Sequence, residues 1–455
     1  MNRKLTKATI GAFIGSTVEW YDFFIYGTAS ALIFNKIFFN TSDPALGTIL
    51  SLLTFAVGFL ARPIGAVIFG HLGDRHGRRV AFTWSLLVMG IATVLIGCLP
   101  DATVLGGWAA VLLVALRIIQ GIGVGGEWGG SVLVVTENAP PKWRAFFGVA
   151  PQMGSPMGTI LANGAFLLVA AMPEADRLSW GWRIPFLASA VLIVVGFLIR
   201  RTLDETEEFK AATGETGAVE NPVKEALASG WGRILLVAGS RILELTGFTT
   251  ATVFMVGYVA NTLGGPGSAV TGAVLWGGVA ELLTLPIFAA FMLKYHPRNL
   301  MYWAVGLGLL YVLPFFMLIN LNEVWSITLA MVIWFPIISL PFAAYPTLFG
   351  DLFDERLRYA SMSIGFNIAG IVSGLAPAAM VGLYAATGSW YAIIAFLAGG
   401  MLVTLACVIG MGTRYMREGV DRDRARIGAA DRVSPAGSAG PGDPVAAGTA
   451  EGGQR

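Results

Sequence analysis

Charge is scarce in this chain. Only 13% of its 455 residues are Asp, Glu, Lys or Arg, whereas 55% are hydrophobic and the mean hydropathy is +0.70. A soluble domain carries roughly 25% charged residues, so a soluble globular protein is excluded and an integral membrane protein is implied. The net charge of +2 is too small for a nucleic-acid partner. There are three histidines, His71, His76 and His296. All fall in loops, with no partner at metal-ligand spacing, so no metal, no cofactor and no catalytic constellation is expected, and the chain does not read as an enzyme. The two cysteines, Cys98 and Cys407, lie inside apolar segments and read as small core residues that say nothing of redox compartment.

What fills the chain is long apolar runs. A spanning helix needs about 20 mostly apolar residues, and twelve candidates stand near 9–36, 48–70, 80–99, 107–134, 146–171, 184–200, 233–261, 268–293, 299–319, 325–348, 359–384 and 389–413. The basic start, Met1 to Lys7, leads into an apolar stretch that is too long for a signal peptide and contains Glu19 and Asp22, so it reads as a retained first span. The organisation that follows is an N-terminal bundle over 1–200, a polar central loop over 201–232, a C-terminal bundle over 233–413 and a disordered tail over 414–455. The tail is Gly-, Ala-, Pro- and Ser-rich, with too little apolar surface to fold.

Between the second and third runs lies Gly70-His-Leu-Gly-Asp74-Arg75-His-Gly77-Arg78-Arg79. Positive charge beside a span marks the cytoplasmic face, and three glycines let two helix ends turn sharply. Lys and Arg gather in this loop, before the first run, at Lys142 and Arg144, around the central loop, at Lys294 and Arg298, and at Arg356 and Arg358. The opposite loops hold only Lys36, Arg177 and Arg183. Both termini are therefore expected in the cytoplasm, with the chain in a plasma or inner membrane. A weak echo of the loop stands at Ala289 to Arg298, with Leu293 in place of the aspartate, so the two halves read as related and a substrate site is expected between them near the midplane.

Ionisable residues inside spans are expensive and are functional candidates. The first run carries Glu19 and Asp22, three residues apart. The fourth carries Arg117, Gln120 and Glu127, the seventh Arg241 and Glu244, and the eighth Glu281. Arg62 falls deep in the second run, or at its lipid–water boundary. Arg241 and Glu244 read either as a self-neutralising pair or as functional charges. Glu281 reads either as a packed acid or as a functional one. Trp20, Tyr21 and Tyr26 flank Asp22 and either wall a cavity or fill a core. Trp180 and Trp182 read as interface anchors. The glycines between Gly121 and Gly130 strip one helix of side chains and allow close packing.

Four segments carry a resemblance: the 70–79 loop, Glu19 to Gly27 (Glu-Trp-Tyr-Asp-Phe-Phe-Ile-Tyr-Gly), Arg117 to Gly130, and Trp180-Gly-Trp-Arg-Ile-Pro-Phe186. Together they resemble the metabolite:proton symporter family of the major facilitator superfamily, which includes carriers for shikimate, 2-oxoglutarate, citrate and proline/betaine. In the second half, Asp351 to Tyr359 is similar to that family's acidic-aromatic-basic loop. The resemblance implies an all-α membrane protein of twelve transmembrane helices in two six-helix bundles. It implies proton-coupled import of a small polar carboxylate or zwitterion, by a monomer in the lipid bilayer; an uncoupled facilitator or an efflux carrier would have the same fold. Asp22, Glu19 and Arg117 become the expected proton-coupling residues. Arg117, Gln120, Tyr26, Glu127 and Arg241 become the expected substrate contacts. Gly70, Asp74, Arg75, Gly77, Arg78, Arg79 and Arg144 become the expected conformational latch.

Overall fold

The computed structural model describes residues 3–39, 44–76, 78–125, 127–201, 222–350, 352–353 and 358–412. The tail and most of the central loop, 202–221, thus lie outside the described residues. What is described is helix after helix. We number the long segments α1 (Arg3–Leu32), α2 (Pro44–His76), α3 (Arg78–Cys98), α4 (Trp108–Val124 resuming as Glu127–Asn138), α5 (Gly154–Ala170) and α6 (Arg183–Arg201). The second half continues with α7 (Pro222–Ser240, Ile242–Thr249 and on to Asn261), α8 (Gly267–Phe291), α9 (Pro297–Asn320), α10 (Val324–Gly350), α11 (Arg358–Thr387) and α12 (Trp390–Met411). Among the described residues, seven helices are each long and apolar enough to cross a membrane, and a bent pair over Glu174–Ile199 makes an eighth.

A bilayer leaves no water for backbone groups, so helices close their own hydrogen bonds. Interruptions then need a cause. In α10, three prolines (Pro336, Pro341 and Pro346) each remove a donor inside the helix. A π turn over Thr250–Phe254 loosens α7. The α4 helix stops after Val124, within the glycine run, and resumes at Glu127. The start of α7 at Pro222 lies well inside the stretch read as central loop.

The helices alternate in direction. The 70–79 turn, Arg144, Lys294 and Arg298 therefore share one end of the bundle, and the Lys36, Arg177 and Arg183 positions share the other. Gly121, Gly123 and Gly125 do the packing expected of them, and Gly126 lies outside the described residues. At Gly121 and Gly125 the α4 backbone meets backbone carbonyls of Gly58 and Arg62 on α2, and a Cβ at Gly123 would lie 2.7 Å from the Met89 nitrogen of α3.

The halves meet at both ends. At the basic end, Trp128 of α4 stacks on Phe366 of α11 with ring centroids 3.9 Å apart. Beside it, the Asn367 amide donates to the Gly125 carbonyl at 3.0 Å. Midway along, Phe59 of α2 fills the space over Gly370 and Gly374 of α11, and towards the other end a Cβ on Gly267 would lie 3.2 Å from Leu32 of α1. Between the ends, Trp20 of α1 stacks with Phe24 and touches Phe248 of α7 and Phe342 of α10.

Three expectations are corrected. Trp182 is fully buried, wedged among Phe34, Phe38 and Phe186; only Trp180, half exposed, sits as an interface anchor would. Arg62 is buried rather than at the lipid boundary, because Glu19 and the Phe59 ring receive its charge. Cys98 is exposed at the end of α3, and Cys407 is only partly buried.

Candidate functional site

Asp22 is the centre of the N-terminal polar network. It sits on α1 and is buried, and two hydroxyls cap its carboxylate. Thr93 of α3 donates to one oxygen at 2.7 Å, and Ser189 of α6 donates to the other at 2.7 Å. The Gln120 amide of α4 donates to the Thr93 hydroxyl at 2.7 Å. Its carbonyl oxygen accepts from the Arg117 guanidinium one turn earlier. The result is a chain of hydrogen bonds through Arg117, Gln120, Thr93, Asp22 and Ser189, with side chains from four helices.

Arg117 is held from its other side by aromatic rings. Its guanidinium carbon lies 4.0 Å from the Tyr26 ring centroid and 5.4 Å from that of Phe55. A ring face returns part of what a buried cation loses in hydration, by about 0.5–2 kcal/mol. The Tyr26 hydroxyl donates to Thr54 at 2.7 Å, and Thr54 passes on to the Ser51 carbonyl at 2.6 Å. Gly58 lets α2 come this close, because a Cβ there would stand 2.5 Å from the Arg117 Nε. Tyr21 turns away from this network and donates to the Pro185 carbonyl of α6 at 2.8 Å.

A second charged pair adjoins the half-to-half interface. Glu19 and Arg62 are buried with N···O 4.0 Å, and the Arg62 guanidinium lies 4.5 Å from the Phe59 ring centroid. Phe59 is the ring that fills the space over the α11 glycines, so this pair rests against the opposite half. Glu127, also buried, opens the second part of α4.

The C-terminal half holds its own charges. Arg241 and Glu244 pair at 3.0 Å, both fully buried. Arg241 also donates to the Phe366 carbonyl at 2.9 Å and lies over the Phe366 ring. Glu281, on α8, is fully buried as well.

The structure thus brings Asp22, Gln120, Arg117 and Tyr26 into one network. It sets Glu19 in a separate pair and Arg241 across the interface. Of the loop residues, Asp74 and Arg75 close α2, while Arg78 and Arg79 open α3 at the same end as the exposed Arg144; Gly77 lies outside the described residues. Thr93, Ser189 and Thr54 were not singled out from the sequence. Single hydroxyls in apolar helices ordinarily bond their own helix, as Thr159 does to Ser155, so these three carry no distinguishing signal.

A family model described as "Sugar (and other) transporter" matches residues 8–231. The shikimate transporter of Escherichia coli is 36% identical over 406 residues, which cover 88% of this chain and 92% of that protein. The chain belongs to the major facilitator superfamily of transporters. Other relatives of this facilitator are a putative metabolite transport protein of Haemophilus influenzae, 36% identical over 83% of this chain and 89% of the relative, and the proline/betaine transporter of Escherichia coli, 31% identical over 82% and 77%. Among solved structures, the Escherichia coli xylose transporter XylE in a partially occluded inward-open conformation superposes with a TM-score of 0.70. The match covers 90% of this chain and 97% of that one at 15% identity. That likeness speaks to the fold alone, which is all-α. The relatives and the family model make the facilitator a membrane transporter rather than an enzyme.

Proposed function

We propose that this facilitator is a proton-coupled symporter of a small carboxylate or zwitterion, working by alternating access between bundles at 1–200 and 233–413. The carrying observation is the Asp22 network. A hydroxyl can donate to a carboxylate or accept from a carboxylic acid, so Thr93 and Ser189 suit Asp22 in either protonation state. Gln120 faces Thr93 with its amide and Arg117 with its carbonyl. A substrate carboxylate that takes the Arg117 fork by two parallel bonds would displace Gln120. Gln120 would then release Thr93 and alter the bonding of Asp22, so that substrate and proton affect each other. Tyr26, Glu127 and Arg241 complete the proposed substrate contacts, and Glu19 is a second candidate for the proton. The relatives named for shikimate and for proline or betaine transport support a carboxylate-bearing cargo, since each of those compounds carries that group.

The halves packed at both ends fit a carrier between its two open forms. We place the basic end in the cytoplasm with both termini. The opposite end has few cations, and two of them, Lys36 and Arg177, lie 3.1 and 4.0 Å from Glu174, which fits the bias of Lys and Arg to the cytoplasmic side. Gly70, Asp74, Arg75, Gly77, Arg78, Arg79 and Arg144 then form the cytoplasmic latch of a monomer, and Asp74→Asn should slow the cycle without loss of expression.

The test is uptake into proteoliposomes with an imposed pH gradient, using shikimate, 2-oxoglutarate, citrate, proline and betaine in parallel. Wild-type protein should accumulate at least one of them and stop when the gradient is collapsed. Asp22→Asn should lose accumulation and keep exchange. Uptake indifferent to the gradient would make the protein an uncoupled facilitator.

A further inference from the structure

The proposed cycle leaves two buried acids without a task, Glu244, which is paired with Arg241, and Glu281, which has no such partner among the described residues. Glu281 stands in the interior of α8, fully buried, and neither carboxyl oxygen has a hydrogen-bond partner among the described residues. The residues one turn before it place its face. A Cβ on Gly277 would lie 2.5 Å from the Phe335 ring of α10, and one on Gly278 would lie 3.1 Å from Thr159 and 3.3 Å from the Pro156 carbonyl of α5. Residues three and four apart share a helix face. Glu281 therefore looks between α10 of its own half and α5 of the other, along the edge of the seam where α8 packs on α5.

The surroundings offer it little. The α5 helix carries no charged or titratable side chain, and the only titratable one on α10 is Tyr345. On α7 the facing charge is Glu244, which bears on Glu281 electrostatically and is already paired with Arg241. Arg144, on the short helix Arg144–Gly148 at the basic end of the seam, is exposed. An ionised carboxylate at such a place has neither counter-charge nor hydrogen bond and is costly, whereas a neutral acid is tolerated. When two bundles rock, the seam between them is where burial changes.

We propose that Glu281 is a second proton-exchange site, in the C-terminal half, which takes a proton from water at one end and releases it at the other as α8 moves against α5. It rests on the proton-coupled reading above but uses none of the Asp22 residues. The step balances as a proton carried on one carboxyl oxygen, with no other bond made or broken. A carrier with acids on both sides of the interface moves two protons per cycle rather than one.

Infrared difference spectra of the reconstituted protein, recorded across a pH series without substrate, read this acid directly. The wild type should show the carbonyl stretch of a non-hydrogen-bonded carboxylic acid, lost reversibly at high pH. The band should be missing in Glu281→Gln and retained in Asp22→Asn. With whichever compound the uptake panel identifies, the proton-to-substrate ratio from flux reversal should fall from about two to about one in Glu281→Gln. Should that variant fail to insert, Glu281→Asp keeps the acid and should keep the ratio while moving the band. A wild-type spectrum without the band, a band that ignores pH, or an unchanged ratio in Glu281→Gln each overturns the proposal. If no compound in the panel is taken up, the symporter reading fails on its own, and the spectra still decide Glu281.

Discussion

Asp22 and Arg117 are joined through Gln120 and Thr93 rather than by a direct ion pair. The amide of Gln120 and the hydroxyl of Thr93 stand between the two charges, with links of 2.7 Å on each side of the Thr93 oxygen. A relay of this kind can be broken in the middle without touching either charge.

Gln120→Leu should break it. The substitution keeps volume and removes both bonds, which leaves a buried guanidinium and a hydroxyl short of partners, at about 1–3 kcal/mol for a group left unsatisfied. Protein yield should fall modestly. Substrate exchange should persist, while accumulation driven by a pH gradient should drop at least tenfold. Wild-type accumulation in this variant would show that Asp22 and Arg117 communicate by another route.

Gly58→Ala tests Arg117 from behind. The added methyl would stand 2.5 Å from Nε and 2.9 Å from Cζ of Arg117, so the guanidinium must slide off the Tyr26 ring while α2 stays in place. Misplacement of a binding group by about 1 Å can cost up to about a hundredfold. KM should rise by about tenfold or more with the turnover number nearly unchanged. An unchanged KM would remove Arg117 from the substrate contacts.

The Arg241–Glu244 pair separates structure from transport. Removing one partner of a buried pair strands the other and costs about 3–5 kcal/mol, whereas an apolar double replacement is often near neutral. In detergent, Arg241→Met and Glu244→Leu alone should each lower the unfolding temperature clearly, and the double variant should recover most of the loss. If the double variant is stable yet binds no substrate, Arg241 is a ligand contact. If it is stable and transports, the pair is structural, with Arg241 tying α7 to Phe366 of α11.

Asp101 gives a pH dependence outside the membrane. Its carboxylate accepts from the Thr103 backbone N–H at 3.0 Å and from the Thr103 hydroxyl, capping the short helix Ala102–Leu105. These bonds, the hydroxyl's first, hold its pKa below the usual carboxylate value. A depressed folded-state pKa stabilises above the unfolded value near 4 and is lost as pH falls through the folded one. The carboxylate is only partly buried and water still screens it, so the contribution is small, about 0.5 kcal/mol on the scale of helix caps. Asp101→Ala should remove that increment at neutral pH and converge with wild type near pH 2, as read by proteolysis of this loop.

What the sequence determined by itself was the part that the bilayer dictates. Apolar runs of about 20 residues must become helices, since nothing else closes its backbone bonds in lipid, and Asp22, Glu19, Arg117, Arg241 and Glu281 stand out because charge is so costly there. The short glycine-rich motifs were legible for the same reason, because close helix approach needs residues without side chains. Partner choice was decided only in three dimensions. Thr93 and Ser189 lie 71 and 167 residues from the carboxylate they cap, and nothing in a lone hydroxyl on an apolar helix announces which neighbour it will face. Trp182 became core rather than anchor because three phenylalanines surround it, and Arg62 was drawn inward because Glu19 and the Phe59 ring receive its charge. The spacing of residues sets which face of a helix they share. Which other helix that face meets is set by the packing of the whole bundle, and that packing turned separate buried charges into a relay on one side and an unpartnered acid on the other.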